Sequence, residues 1–294
     1  MNKNNQSLAL NGKNGGLAFT LFICAYILIT FIGQMVCSLA FEQSTFWYTV
    51  IGSTFSAIAL FCIIIFTTKY TKINFRQITL TEKAGGVYVF VGLLLSVGMF
   101  FGLGFANNVI AQVLAKLGLK TNGISLSING FGEFVVYCIT FALLPAVFEE
   151  LFFRGILLKS LSNAGKVSAV LLTSLSFALY HCSAVQFLYQ FLFGIAFAVL
   201  AICSKSTVPG MITHFVNNFV VLLLTYLNIN VNLLNPLTLV LGINALAFYC
   251  TIVFFVLKKS KKAQKQKNQV ALFSAFASAG WVLCLILLIS ALFG

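Results

Sequence analysis

Long apolar runs separated by short polar clusters set the pattern of this chain. Nine such runs stand out, at about 17–40, 46–68, 86–106, 131–153, 167–182, 185–203, 208–227, 236–257 and 270–293. An apolar stretch of about 18 residues or more is long enough to cross a bilayer as a helix; the runs at 167–182 and 185–203 are the shortest of the set. The pattern predicts an all-α, polytopic transmembrane helical bundle of eight or nine spans. Residues 1–16 read as a cytoplasmic polar tail and 17–294 as a single integral membrane domain. The first run is too long and too weakly flanked for a cleaved signal peptide.

Within the runs, a few residues mark special geometry. Gly98 and Gly102 form a GxxxG pair suited to close helix approach. Pro145 lies inside the fourth run, where it should kink the helix and free a carbonyl near Phe141. Stretch 107–130 mixes apolar and polar residues and predicts a short interfacial helix followed by a re-entrant or exposed segment.

Composition fixes the class. Sixty per cent of the residues are hydrophobic and only 8% charged, with mean hydropathy +1.02, whereas soluble domains run near ~25% charged. The net charge of +13 would suit a nucleic-acid partner if it were spread over one face, but it follows the loops. With the N-terminus inside, fifteen of the eighteen basic residues fall in one set of loops. These include Lys69, Lys72, Arg76, Lys83, Lys159, Lys166, Lys205 and the lysines of KKSKKAQKQK at 258–267. This is the positive-inside pattern, and it predicts a cytoplasmic N-terminus, a multi-pass protein of the cell membrane, and the bilayer rather than nucleic acid as partner. The lysine run reads as an orientation anchor and headgroup contact. Eight scattered cysteines show neither disulfide nor zinc spacing.

Candidate chemistry is confined to a few positions. The chain has two histidines and no aspartate, and two of its five acids, Glu149 and Glu150, are adjacent in an apolar run. Ionisable groups at membrane depth are costly and mark functional sites. In Glu149-Glu150-Leu-Phe-Phe-Arg154, Glu150 and Arg154 are i and i+4, the favourable order for an ion pair. Glu149, turned by about 100°, stays free. In Phe177-Ala-Leu-Tyr-His181, Phe177 and His181 share a face. In His214-Phe-Val-Asn217-Asn218, His214 and Asn218 stand one turn apart and can direct donors at one point, while Asn217 points elsewhere and is secondary. Taken singly, each motif also fits a structural ion pair or interhelical polar contact.

Together, EExxxR, FxxxH and HxxxN on three hydrophobic spans resemble the CAAX protease and bacteriocin-processing (CPBP, Abi-domain) family of intramembrane endopeptidases, which includes type II CAAX prenyl proteases and bacteriocin-immunity proteins. The resemblance covers a core at about 131–228. It implies a glutamate-dependent hydrolase with Glu149 as general base and His181 sharing its water. It also implies His214 and Asn218 as the oxyanion hole, with Glu150 and Arg154 as the supporting pair. A membrane-associated peptide or protein would be the substrate, whether a CAAX-type protein or a bacteriocin or other peptide precursor. No cofactor is expected. If the enzyme were zinc-dependent, Glu149, His181 and His214 would be the ligands, although HExxH is absent. Two alternatives remain from other classes: a proton-coupled transporter using the same groups as a relay, and a non-catalytic immunity protein that retains the fold. A lysine- and asparagine-rich, compact chain suggests a bacterial plasma membrane.

One expectation concerns depth. On this topology Glu149 and Glu150 lie near the cytoplasmic end of the fourth span, and His181 falls towards the far end of a straight, fully crossing fifth span. The two meet around one water only if the fifth span starts deeper or is short and tilted. A mid-depth cavity open to the cytoplasmic leaflet is the arrangement expected.

Overall fold

A computed structural model describes residues 10–43, 45–79, 85–121, 126–229, 235–258 and 267–293. Lys3, Lys83 and most of the lysine run at 258–267 lie outside these residues. The described residues form helices and no strand: α1 (Gly12–Ala40), α2 (Phe46–Thr71), α3 (Phe75–Thr79), α4 (Gly86–Lys116), α5 (Phe131–Tyr137), α6 (Leu144–Glu150), α7 (Lys166–Tyr180), α8 (Phe187–Ser204), α9 (Val208–Tyr226), α10 (Pro236–Lys258) and α11 (Lys267–Phe293). Seven helical segments among them are long and apolar enough to cross a membrane. Their outer faces carry large apolar side chains, such as Leu28, Phe31 and Leu39 on α1 and Ile286, Ile289 and Phe293 on α11. Such surfaces are rare on soluble monomers. The protein is a multi-pass, all-α membrane bundle.

Three sequence expectations need correction. Residues 12–16, read as the end of a polar tail, belong to α1, and Gly12, Asn14, Gly15 and Gly16 are buried. Glycines let α1 sit directly on α11: Gly12 N donates to Gln269 Oε1 at 2.7 Å, and Thr20 Oγ1 donates to Phe276 O at 2.6 Å. The 107–130 stretch carries no separate interfacial helix among the described residues, because α4 continues unbroken to Lys116. The mixed composition there is the end of a long helix. The fifth run is also shorter than a full span. At 15 residues, α7 is about 22 Å long against a hydrocarbon core of about 30 Å.

Contacts between loops agree with the charge pattern. Lys159 Nζ donates to Gln77 O at 2.8 Å, and Thr207 N donates to Thr79 O at 3.0 Å. Three of the lysine-bearing loops therefore meet at one end of the bundle. The segment after α4 and the end of α11 also meet, through Lys120 N and Leu292 O at 3.0 Å.

Buried phenylalanines fill the centre. Phe19, Phe22, Phe152, Phe153, Phe177, Phe197 and Phe273 are closed off completely and pack edge to face, as Phe153 does on Phe177 at 5.1 Å. The GxxxG of α4 is used as expected. A Cβ at Gly242 of α10 would overlap Gly102 Cα, so the two backbones touch. Neither backbone can yield locally. Gly242→Ala should destabilise the bundle by about 1–3 kcal/mol, read as a lowered unfolding midpoint in a mild-detergent/SDS titration.

Candidate active site

The two acids sit on a segment of unusual backbone. Between Phe131 and Leu158 the helix passes through two π-helical stretches, Cys138–Leu143 and Leu151–Leu158, with the short α6 between them. Extra residues of this kind in a helix recur at functional sites. Pro145 stands in the first turn of α6 and has no N–H to return to Phe141. The carbonyl freed there, as the sequence predicts, is taken by the Asn218 side chain, whose Nδ2 donates to Phe141 O at 3.1 Å.

Glu149 and Glu150 end α6, both buried, and their surroundings differ as the i+4 rule predicts. Arg154 NH1 donates to Glu150 Oε1 at 2.7 Å, and Arg154 NH2 donates to Gly194 O at 3.1 Å. The guanidinium lies 4.5 Å from the centre of the Phe177 ring and 5.1 Å from that of Phe197, an aromatic box for a buried cation. From α9, His214 Nδ1 comes within 3.6 Å of Glu150 Oε1, too long for a hydrogen bond but close enough for charge to be felt. The Phe197 ring stacks on His214 at 5.2 Å. Close approach of α9 depends on Gly210, where a Cβ would stand 2.8 Å from Glu150 Oε2.

Glu149 has no such cation. Its neighbour is Tyr180, whose ring packs on Phe22 at 5.1 Å and Phe153 at 5.8 Å. Among the described residues six buried side-chain atoms lack a hydrogen-bond partner, and four of them belong to this site: Glu149 Oε2, Glu150 Oε2, Arg154 Nε and His214 Nδ1. Buried polar groups are almost always satisfied, so unsatisfied capacity concentrated here points to a place that takes a ligand or water.

His181 closes the end of α7. Its Nδ1 lies 2.7 Å from Phe177 O. A carbonyl only accepts, so Nδ1 carries the proton and Nε2 presents a lone pair. The Phe177 ring is 4.8 Å from that of His181 and 6.2 Å from that of His214, and it makes a common wall between the two. Because α7 is short, its last turn comes level with the acid-bearing helix. Tyr180 packs 5.8 Å from Phe153, which resolves the depth problem in favour of a short fifth segment.

Glu150, Arg154, His214 and Phe177 are thus brought together, with Glu149 and His181 on either side of Tyr180. Asn218 reaches the same helix one π-helical segment earlier, at Phe141. Among the described residues, no three His, Cys, Asp or Glu side chains are placed together to hold a metal ion. His181 Nδ1 lies on Phe177 O and His214 Nδ1 faces Glu150, so each ring would meet any further group through Nε2. Sequence reasoning missed Tyr180 and set Asn217 aside as secondary. Asn217 was assigned to another face by helical spacing, yet its side chain touches Asn218, with Nδ2 donating to Asn218 Oδ1 at 3.1 Å. Adjacent asparagines on a helix can still meet through their amides, which a face-by-face count does not register. Tyr180, beside His181, was visible in the sequence but carried no spacing signal.

Residues 131–220 match the family model described as type II CAAX prenyl endopeptidase Rce1-like. Over these residues the chain is similar to that family. The match spans all six motif residues, from Glu149 to Asn218, and the four helical elements that hold them. No curated protein and no solved structure matched the chain. The Rce1-like segment is the part of the bundle where Glu149, Glu150 and Arg154 are buried.

Proposed function

We propose that this protein is an intramembrane, glutamate-dependent endopeptidase that hydrolyses a peptide bond in a membrane-associated peptide or protein. Glu149 carries the reading. It is buried, has no cation at i+4, keeps Oε2 without a partner, and stands beside an acid already neutralised by Arg154. In this mechanism Glu149 takes a proton from water while His181 Nε2 accepts the water's second hydrogen bond and orients it. The oxygen adds to the scissile carbonyl, and the negative charge that builds on the carbonyl oxygen is met by donors from His214 and Asn218. Glu149 then passes its proton to the departing amine as the C–N bond breaks. Glu150 and Arg154 hold the turn that carries Glu149 and set the charge beside His214. The Rce1-like match supports a CAAX-type substrate, with a lipidated cysteine ahead of the cleaved bond. A peptide precursor anchored in the same membrane would use the same chemistry. The end of the bundle where Lys159, Gln77, Thr79 and Thr207 meet is the proposed cytoplasmic face.

The test uses purified protein in proteoliposomes with an internally quenched peptide bearing an S-farnesyl cysteine three residues from its C-terminus. Cleavage should persist in 1,10-phenanthroline and EDTA. Loss of cleavage with chelator and recovery on adding zinc would overturn the metal-independent mechanism.

A further inference from the structure

A line of hydrogen bonds outside the three motifs crosses from α8 through α9 to the first π-helical stretch. Tyr189 OH donates to Asn217 Oδ1 at 2.9 Å, Asn217 Nδ2 to Asn218 Oδ1 at 3.1 Å, and Asn218 Nδ2 to Phe141 O at 3.1 Å. The direction of every bond follows from the last member. A backbone carbonyl can only accept, so the NH2 end of Asn218 must face Phe141. The Asn218 oxygen then faces Asn217, which must present its own NH2 there. That leaves the Asn217 oxygen to accept from Tyr189. Pro145, by leaving Phe141 O free of a helical N–H, sets the polarity of a chain that ends two helices away.

An amide side chain has a donor end and an acceptor end of nearly the same shape, and only its partners decide which end points where. Asn218 has partners for its oxygen and for one N–H, and the second N–H is left over. Tyr189 is held independently of this chain, since its ring stacks on Phe193 at 4.7 Å with an interplanar angle of 24°. Its hydroxyl therefore gives the Asn217 oxygen a partner at a fixed place.

We propose that Tyr189, acting through Asn217, is a positioning residue that fixes the Asn218 amide with one N–H on Phe141 and the other directed to the scissile carbonyl oxygen. This rests on the proposed role of Asn218 as an oxyanion donor. A donor aimed before the reaction costs no reorganisation when charge develops. Without the Tyr189 hydroxyl, the Asn217 oxygen loses its anchor, and the bond by which Asn217 holds the Asn218 oxygen loosens.

Two measurements test the proposal. In protein labelled with 15N-asparagine and held in nanodiscs, the Asn218 side-chain NH2 signals are identified by their disappearance in Asn218→Ala. Tyr189→Phe should shift or broaden that pair, and an unmoved pair overturns the proposal whether or not a substrate is at hand. In proteoliposomes with the farnesylated peptide, Tyr189→Phe should lower kcat by about five- to tenfold, as for loss of one hydrogen bond, with KM unchanged. In an Asn218→Ala background it should cause no further loss. The same fold-loss in both backgrounds means that Tyr189 acts independently of Asn218 and contradicts the proposal. Failure of the protease reading is separately visible, because Glu149→Gln would then be as active as the unaltered protein while the NMR comparison still decides the role of Tyr189.

Discussion

Glu149→Gln should lower peptide cleavage by about 10²–10⁴-fold, the range set by removing a general base, and leave the protein folded and inserted. The amide keeps the size of the carboxyl group, so packing around Tyr180 is preserved. Only the group that can take and return a proton is lost. Glu150→Gln should also impair turnover, but by another route, because it leaves Arg154 without its 2.7 Å partner and lowers stability at the same time. The two variants are thus separated by reading cleavage and unfolding side by side. Near-normal cleavage in both would remove the basis for assigning catalysis to this pair.

The second large effect is on stability. Arg154 is 1% exposed and Glu150 fully buried, and neither has water to fall back on. Arg154→Met should destabilise the bundle by about 3–5 kcal/mol, the usual cost of stranding one partner of a buried ion pair. The variant also loses the bond to Gly194 O and the contact with Phe177 and Phe197. Adding Glu150→Gln to Arg154→Met should recover part of that loss, since the uncompensated carboxylate is then gone. Unfolding midpoints in SDS titration measure both steps. A single variant as stable as the parent would mean that the pair is not closed off from water.

The helical nature and order of the apolar segments were legible in the sequence because lipid imposes a simple rule: every backbone polar group must be satisfied within its own segment, and an apolar run therefore declares a helix. Their number and limits were less so: among the described residues seven segments, not eight or nine, are long and apolar enough to span, and α1 and α4 extend past the runs that announce them. The ion pair of Glu150 and Arg154 was legible for a similar reason, since i and i+4 on one helix need no knowledge of the fold. The free carbonyl at Phe141 followed from Pro145 alone. Its partner did not, because Asn218 is 77 positions away and only the crossing of α9 over the first π-helical stretch brings it there. The π-helical stretches themselves left no mark in the apolar pattern, which tolerates one extra residue per turn without exposing anything polar. The level at which α7 meets the acids depended on where that helix ends, and composition alone gave a run ending near 182 where the helix stops at Tyr180. Tyr189, and the contacts of Asn217, were invisible to a reading by helical face, since they run between helices and between sequence neighbours.

The most direct measurement of the central claim compares the protein termini present in membranes of cells making the unaltered chain with those of cells making Glu149→Gln. This needs no prior choice of substrate. If the protein is a glutamate-dependent intramembrane endopeptidase, new termini in one or more membrane-associated polypeptides should appear only with the unaltered chain. The contradicting result is an identical set of termini in both, with the two proteins present at equal amounts in the membrane.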